Sequence, residues 1–272
     1  MANAAGKQID KTFLSIDNAE NRGFIHRDYI AHCLRWSHVV KCLYKNNDYR
    51  QARILDVGCG KETPLAKMLY SSRLTPAKYI GVDYGPIEDF NFGKYQDRFE
   101  FWEREDFVNV DLTGPYSHVT CFEVLEHVEP AHVLSILSKI RELMTDQSYL
   151  FVSTPNWNGR DCAANHVNEM SASILASVFI QEGFTVKANY GTFASQRDIE
   201  PVLTAAELNV YDKLKQYYDS NLVSCLFAPL HAMESRNILW VLKKAKLVKV
   251  DFYNPSGVEW SSSSKWKELR RV

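Results

Sequence analysis

Along residues 27–45 the large apolar side chains Tyr29, Ile30, Cys33, Leu34, Val40 and Leu43 recur at helical spacing, with polar residues between them. That stripe predicts an amphipathic helix with one buried face. The pattern then changes character. RILDVGCG, residues 53–60, is a β-branched and apolar run that stops abruptly in glycines, and it predicts a buried strand running into a tight turn. Thr63-Pro64 marks a helix start, with Thr63 as the N-cap and Pro64 at the first helical position, and the helix continues through residues 65–70. Short apolar runs at residues 79–82, 99–103, 118–122, 149–153, 184–189 and 238–242 predict six further strands. Helical patterns at residues 130–144 and 171–182 fall between them, the second closed by Gly183. Strands alternating with helices predict an α/β fold, a mostly parallel seven-stranded sheet with helices on both faces.

One interval breaks the rhythm. Almost 50 residues separate the sixth strand from the seventh and contain a helical pattern near residues 204–218. A direct connection needs only a few residues, so this stretch predicts a lid-like, substrate-binding insertion before the last strand. The expected organisation is an N-terminal helical region over residues 1–50, an α/β domain over 51–245 with the insertion at about 191–236, and a tail over 246–272. Residues 261–264 are all serine, and Lys265, Lys267, Arg270 and Arg271 follow; charge runs of this kind predict a loosely held, solvated tail.

Composition narrows the class. The 272 residues correspond to between one and two domains of roughly 150 residues. Lys and Arg total 32 against 33 Asp and Glu, a formal net charge of −1. This excludes a broadly basic nucleic-acid coat but leaves room for a local basic patch. The six cysteines form no CxxC pair, which argues for reduced thiols rather than a zinc ribbon or a disulfide framework. No apolar run opens the chain as a signal peptide, and none reaches the 18 or so residues needed to cross a bilayer. A soluble, cytoplasmic protein is the expectation.

In parallel α/β sheets, ligands sit beyond the carboxyl ends of the strands. After the first strand stands Asp56-Val57-Gly58-Cys59-Gly60-Lys61-Glu62. Its glycines permit unusual dihedrals and let backbone N–H groups approach a ligand. Asp83 follows 23 residues after Gly60, directly after the second strand, where a carboxylate can accept from both hydroxyls of a ribose. The pair predicts a nucleoside-containing cofactor. A dinucleotide site would want a third glycine where Thr63 stands. Asp56 and Glu62 would also repel a pyrophosphate, yet suit an ammonium and a sulfonium. The balance therefore moves from a nicotinamide cofactor to S-adenosylmethionine.

At this level the chain resembles the class I S-adenosylmethionine-dependent methyltransferases, and among them the small-molecule type related to the ubiquinone-biosynthesis O-methyltransferases. The segments that carry the resemblance are ILDVGCGKE, GVDYG, Asp106-Phe107, CFEVLEHV at residues 121–128, STPN at 153–156, NHVNEMSASIL and the end strand RNILWVLKK. They span about residues 50–190 plus that strand. The resemblance implies a Rossmann-like fold and assigns roles. Gly58 and Gly60 line the methionine part of the cofactor, Asp56 helps hold its ammonium, and Asp83 binds the ribose. Tyr84 packs on the adenine, Asp106 and Phe107 flank it, and Glu123 and Val124 border the sulfonium side. Arg27, Tyr29, Arg35 and Trp36 precede the first motif, where some relatives place a residue against the cofactor carboxylate.

Methyl transfer needs an aligned acceptor, exclusion of water and, for an O–H or N–H acceptor, removal of a proton. His127 and His166 are the candidate bases. Glu126 and His127 also resemble the arrangement of relatives that place a divalent metal near the acceptor hydroxyls, but no metal-ligand set is evident in the sequence, and no metal is expected. The acceptor expected is a small molecule, methylated on oxygen or nitrogen. The alternatives are a nucleic acid base or nucleotide, suggested by the basic tail and the insertion, and a non-catalytic partner subunit that keeps the cofactor fold. STPNW lacks the (D/N)PPY-type signature of amino-methylating DNA enzymes.

Overall fold

The structure, a computed structural model, describes residues 27–45, 49–104, 106–159, 162–163, 165–247, 261–263 and 265. Seven strands form one sheet: β1 (Arg53–Val57), β2 (Lys78–Asp83), β3 (Phe99–Glu103), β4 (Tyr116–Phe122), β5 (Met144–Pro155), β6 (Phe184–Phe193) and β7 (Asn237–Lys244). Their order is β3-β2-β1-β4-β5-β7-β6. The first five run parallel, and β7 is antiparallel to both β5 and β6. The chain leaves β1 toward β2 on one side, while β4 lies on the other. The β1–β4 junction is thus the switch point where α/β sheets bind ligands.

Alternate residues along each strand supply two separate cores. Leu55, Val57, Ile80, Val82, Val119, Cys121, Leu150, Val152 and Trp240 face one side, where helices α3 (Pro130–Glu142) and α4 (Ala172–Gln181) cover them. Ile54, Tyr79, Phe99, Phe151, Leu239 and Val241 face the other, against α1 (Arg27–Lys45) and α2 (Pro64–Ser71). Burial on both faces is why the strands read as continuous apolar runs. The insertion carries α5 (Gln196–Ile199), α6 (Ala205–Lys215) and α7 (Ser220–Phe227), with a small core of its own around Tyr211, Val223 and Phe227. Thr204 and Glu207 form a reciprocal capping box at the start of α6.

Three features differ from the sequence expectation. Helix α3 stops at Glu142, and Met144 already pairs with Tyr116 as the start of β5; the exposed Thr145, Asp146 and Gln147 hide that part of the strand. Thr63 precedes α2 with left-handed dihedrals, φ 48° and ψ 50°, and caps nothing with its side chain. A capping hydroxyl reaches the first-turn amides from extended backbone, which Thr63 lacks. Finally, part of the tail is held: Ser261 bridges to Met170, the Ser262 N–H donates to the Glu169 carbonyl, and Lys265 Nζ lies 2.7 Å from Glu129 Oε1. Lys267, Arg270 and Arg271 lie outside the described residues.

Candidate functional site

The turn after β1 is built on its neighbour strand. The N–H groups of Gly58 and Cys59 donate to the Val82 carbonyl at 2.8 and 3.2 Å. Gly58 and Gly60 have φ of 73° and 74°, a region that L side chains rarely enter. A Cβ on Gly58 would lie 2.3 Å from Val124 Cγ2, so backbone and side chain meet here with no room to spare. Asp83 closes the turn: one carboxylate oxygen accepts from the Gly60 N–H at 2.8 Å and the other from the Gly85 N–H at 2.9 Å. Each oxygen keeps a further lone pair for a hydroxyl.

Asp56 lies beneath this turn, 3 % exposed. It accepts from the Tyr79 hydroxyl and, at 2.6 Å, from Thr120 Oγ1. Burial pushes its carboxyl up to about 6, against those two hydrogen bonds, with a further push from Asp83. Glu62 is half-buried just past the turn and Tyr84 is exposed after β2. Asp106 accepts from the Val108 N–H at 3.0 Å and from Asn109 Nδ2 at 2.9 Å, and His132 Nε2 is 3.1 Å away. Phe107 belongs to the core beside α3 and presents little surface to a ligand. Cys59 and Cys121 are buried packing residues whose thiols burial pushes up.

Beyond β4 the chain turns sharply at Glu123, which has φ 53°. Its carboxylate receives Arg35 Nη1 at 3.0 Å, Ser153 Oγ at 2.9 Å and Asn237 Nδ2 at 2.7 Å. Arg35 thus meets Glu123 rather than standing free for a ligand, and its other arm donates to His32 Nδ1. Of its neighbours, Trp36 stacks on His32, Tyr29 is exposed, and the Arg27 side chain is outside the described set. The sequence reading missed Tyr79, Thr120, Ser153 and Asn237 as partners of the acids. No spacing rule links them, because each comes from a different strand.

Three groups gather past Glu123. His127 and His166 face each other edge to face, with ring centroids 4.8 Å apart. Glu126 is fully buried between their segments. Burial and the neighbouring Glu123 push the Glu126 carboxyl well above the usual range. Burial pushes His127 down, against the pull of the Asn165 carbonyl and helped by the facing His166.

These features bring a glycine turn, the Asp83 carboxylate and a pair of imidazoles to the carboxyl ends of β1, β2 and β4, where a parallel α/β sheet binds its ligands. The chain belongs to the methyltransferase-domain family, whose model matches residues 27–211. It is an S-adenosylmethionine-dependent methyltransferase. The residues present fit that cofactor: a left-handed turn at Gly58 and Gly60, a carboxylate at Asp83 whose oxygens accept from Gly60 and Gly85 and keep lone pairs for hydroxyls, and Thr63 where a dinucleotide site has its third glycine. No curated protein matches the sequence. Among solved structures, the chain is similar to the methyltransferase domain of bacterial CtHen1-CN at 16 % identity and TM-score 0.50, covering 78 % of this chain and 99 % of that one. The magnesium protoporphyrin IX methyltransferase of Synechocystis PCC 6803 with bound S-adenosylmethionine gives 14 %, 0.49, 88 % and 99 %. The Burkholderia thailandensis 1,6-didemethyltoxoflavin-N1-methyltransferase gives 14 %, 0.49, 82 % and 92 %. At these identities the likeness is one of fold. Among the described residues no helix is long and apolar enough to cross a membrane.

Proposed function

We propose that this chain methylates an oxygen or nitrogen atom of a small-molecule acceptor that sits beyond β4, beside Glu123, Val124, His127 and His166. Bound S-adenosylmethionine supplies an already activated methyl group. The protein's task is to bind, align and remove a proton. On this reading the Gly58–Gly60 backbone cradles the methionine part and Asp83 binds the ribose. Asp56, engaged by Tyr79 and Thr120, stiffens the turn and contributes negative charge toward the ammonium and sulfonium, with Glu62 near the rim. Tyr84 is exposed and covers the adenine, and Asp106, already held by Val108, Asn109 and His132, offers a remaining lone pair to its amino group; Phe107 backs that wall from the core.

The observation that carries the reading is the pair of imidazoles next to Val124, the side chain that touches the glycine turn. Acceptors with an O–H or N–H need a group that holds or takes the proton. The depressed pKa of His127 keeps that ring neutral near pH 7 and able to serve. The net charge of −1 provides no field for gathering a polyanion. The test is methyl transfer from labelled S-adenosylmethionine to fractionated cell extract, with the product identified by mass spectrometry. Label in the small-molecule fraction supports the reading. Label only in RNA or DNA, with steeply salt-dependent binding, would replace it with the nucleic acid alternative.

A further inference from the structure

We infer that the cavity between the insertion and the start of β7 holds a carboxylate carried by the methyl acceptor, a substrate feature that rests on the function proposed above. The cavity has a volume of about 610 Å³ and is lined by Ser195, Gln196, Arg197, Glu200, Asn221 and Arg236. Small-molecule sites run to roughly 300–1,000 Å³.

The cavity stands on the ligand edge of the sheet. Because β7 is antiparallel to both β5 and β6, β6 runs parallel to β5, and its last residue, Phe193, ends at the carboxyl edge. The Arg236 N–H donates to the Phe193 carbonyl at 2.8 Å, and the Arg236 carbonyl accepts from the Asn156 N–H, just past β5, at 2.6 Å. The next residue, Asn237, reaches the Glu123 carboxylate at 2.7 Å. Adjacent Cα atoms stand about 3.8 Å apart. One side chain of this pair thus meets the acceptor wall at Glu123 while its neighbour lines the cavity. An acceptor seated beside Glu123 and Val124 needs a short arm to enter it.

The acids of the wall are engaged within it, and donors are left over. Arg236 Nε lies 2.6 Å from Asp198 Oδ2, and Arg236 Nη2 donates to Ser195 Oγ at 3.2 Å. Glu200 receives Lys215 Nζ on one oxygen at 3.1 Å and Gln196 Nε2 on the other at 2.5 Å. Arg197 has no such match. Its Nε is 3.8 Å from Asp198 Oδ1, beyond hydrogen-bonding distance, and its side chain is 68 % exposed. Its guanidinium keeps the fork of N–H donors that grips a carboxylate at two points. Asn221 Oδ1 accepts from the Gln196 N–H at 3.1 Å, which fixes the orientation of that amide. Among the described residues, Asn221 Nδ2 and Arg236 Nη1 take no hydrogen-bond partner.

One uncompensated guanidinium matches a monoanion. Asp198 and Glu200 flank it, and they would repel the second negative charge of a phosphate monoester, whereas a carboxylate brings one. The frame is also set in advance. The Ser195 N–H and Oγ both donate to Asp198 Oδ2, at 2.9 and 2.5 Å, and Arg236 clamps Ser195 and Asp198 together. The backbone that carries Arg197 is therefore held before an acceptor arrives, which lowers the ordering cost of binding.

The test uses the full chain with bound S-adenosylhomocysteine, with the arginine Nε–H signals followed by NMR. The probes are benzoate, benzamide and inorganic phosphate. We expect benzoate to shift the Arg197 and Arg236 signals saturably, with the exposed Arg50 and Arg73 as unmoved controls. Benzamide, similar in shape but neutral, should shift neither. Arg197→Met should weaken benzoate binding about tenfold, the lower end for a charged hydrogen bond. Asn221→Asp keeps an acceptor for the Gln196 N–H but replaces the amide donors by a negative charge. It should weaken benzoate at least as much and leave cofactor affinity unchanged. An unmoved Arg197 overturns the site, as do equal shifts from benzamide, benzoate affinity unchanged in both folded variants, or tighter binding of phosphate than of benzoate. The methyl-transfer assay on cell extract runs in parallel, with the labelled small molecules passed over an anion exchanger. Labelled products that keep a carboxylate support the inference. Benzoate binding without small-molecule methylation keeps the site and fails the proposed function alone, and methylation of acceptors that carry no carboxylate fails the site alone.

Discussion

Arg35 Nη1 lies 3.0 Å from Glu123 Oε1, tying the N-terminal helix α1 to the strained turn after β4. Arg35 is 1 % exposed, so its charge depends on that carboxylate. Removing one member of a buried pair strands the other. We expect Arg35→Met to cost about 3 kcal/mol, the low end for such pairs because Glu123 keeps Ser153 and Asn237. Arg35→Met combined with Glu123→Gln should recover most of the loss. Urea unfolding of the wild type, Arg35→Met, Glu123→Gln and the double variant measures this, and additive losses would show that the two residues are not coupled.

Gly58 and Gly60 share a left-handed backbone but differ in space. Alanine at Gly60 meets only Pro64 Cδ at 3.9 Å, so it should cost about 1–2 kcal/mol for the backbone alone. Alanine at Gly58 also drives into Val124 Cγ2, and overpacking adds about 1–3 kcal/mol. Gly58→Ala should therefore be the worse variant in both thermal melts and S-adenosylmethionine affinity. Adding Val124→Ala should make the double variant less destabilised than the sum of the singles. Equal effects at the two glycines would mean that the contact with Val124 does not matter.

Asp83 both holds the turn and faces the proposed ribose position. Asparagine can accept at one oxygen only, so it loses either the Gly60 or the Gly85 amide. Asp83→Asn and Asp83→Ala should each lower S-adenosylmethionine affinity by about tenfold to a hundredfold, the worth of a charged hydrogen bond. Calorimetry with the cofactor measures it. An affinity that stays within twofold for both variants would remove Asp83 from the site.

The strands and both faces of the sheet were legible because burial on two sides writes β-branched runs, as in Arg53–Val57 and Tyr116–Phe122. The glycine turn and Asp83 were legible because their chemistry is set by spacing along one β-α-β unit. The cluster past β4 was not. His166 follows His127 by 39 residues, and a loop and a β-bridge at Asn156 and Met170 bring it back. The same holds for Asn237, which reaches Glu123 only because β7 pairs antiparallel with β5. The hold on the tail at Ser261 and Ser262 was hidden by polar composition, because hydrogen bonds rather than apolar packing make it.

Two buried groups give the stability a pH dependence of opposite signs. Asp56 titrates at about 6 in the folded chain against 3.8 for the ordinary group. Between those values the folded state holds the proton that the unfolded state has lost, so this group favours the fold at low pH and loses that contribution as pH rises through about 6. Burial pushes His118 down to about 4 from 6.5. Its contribution is present above 6.5 and is lost as pH falls toward 4. Each difference corresponds to about 3 kcal/mol, so in the wild type they nearly cancel between pH 4 and 6. Asp56→Asn removes only the first, so its stability should fall more steeply than the wild type's as pH drops from 7 to 4.5. His118→Gln removes only the second and should become relatively more stable over the same range. Urea unfolding at a series of pH values reads both slopes. Parallel curves for wild type and Asp56→Asn would mean that Asp56 ionises as an ordinary carboxylate beneath the glycine turn, with its charge fully compensated there by Tyr79 and Thr120.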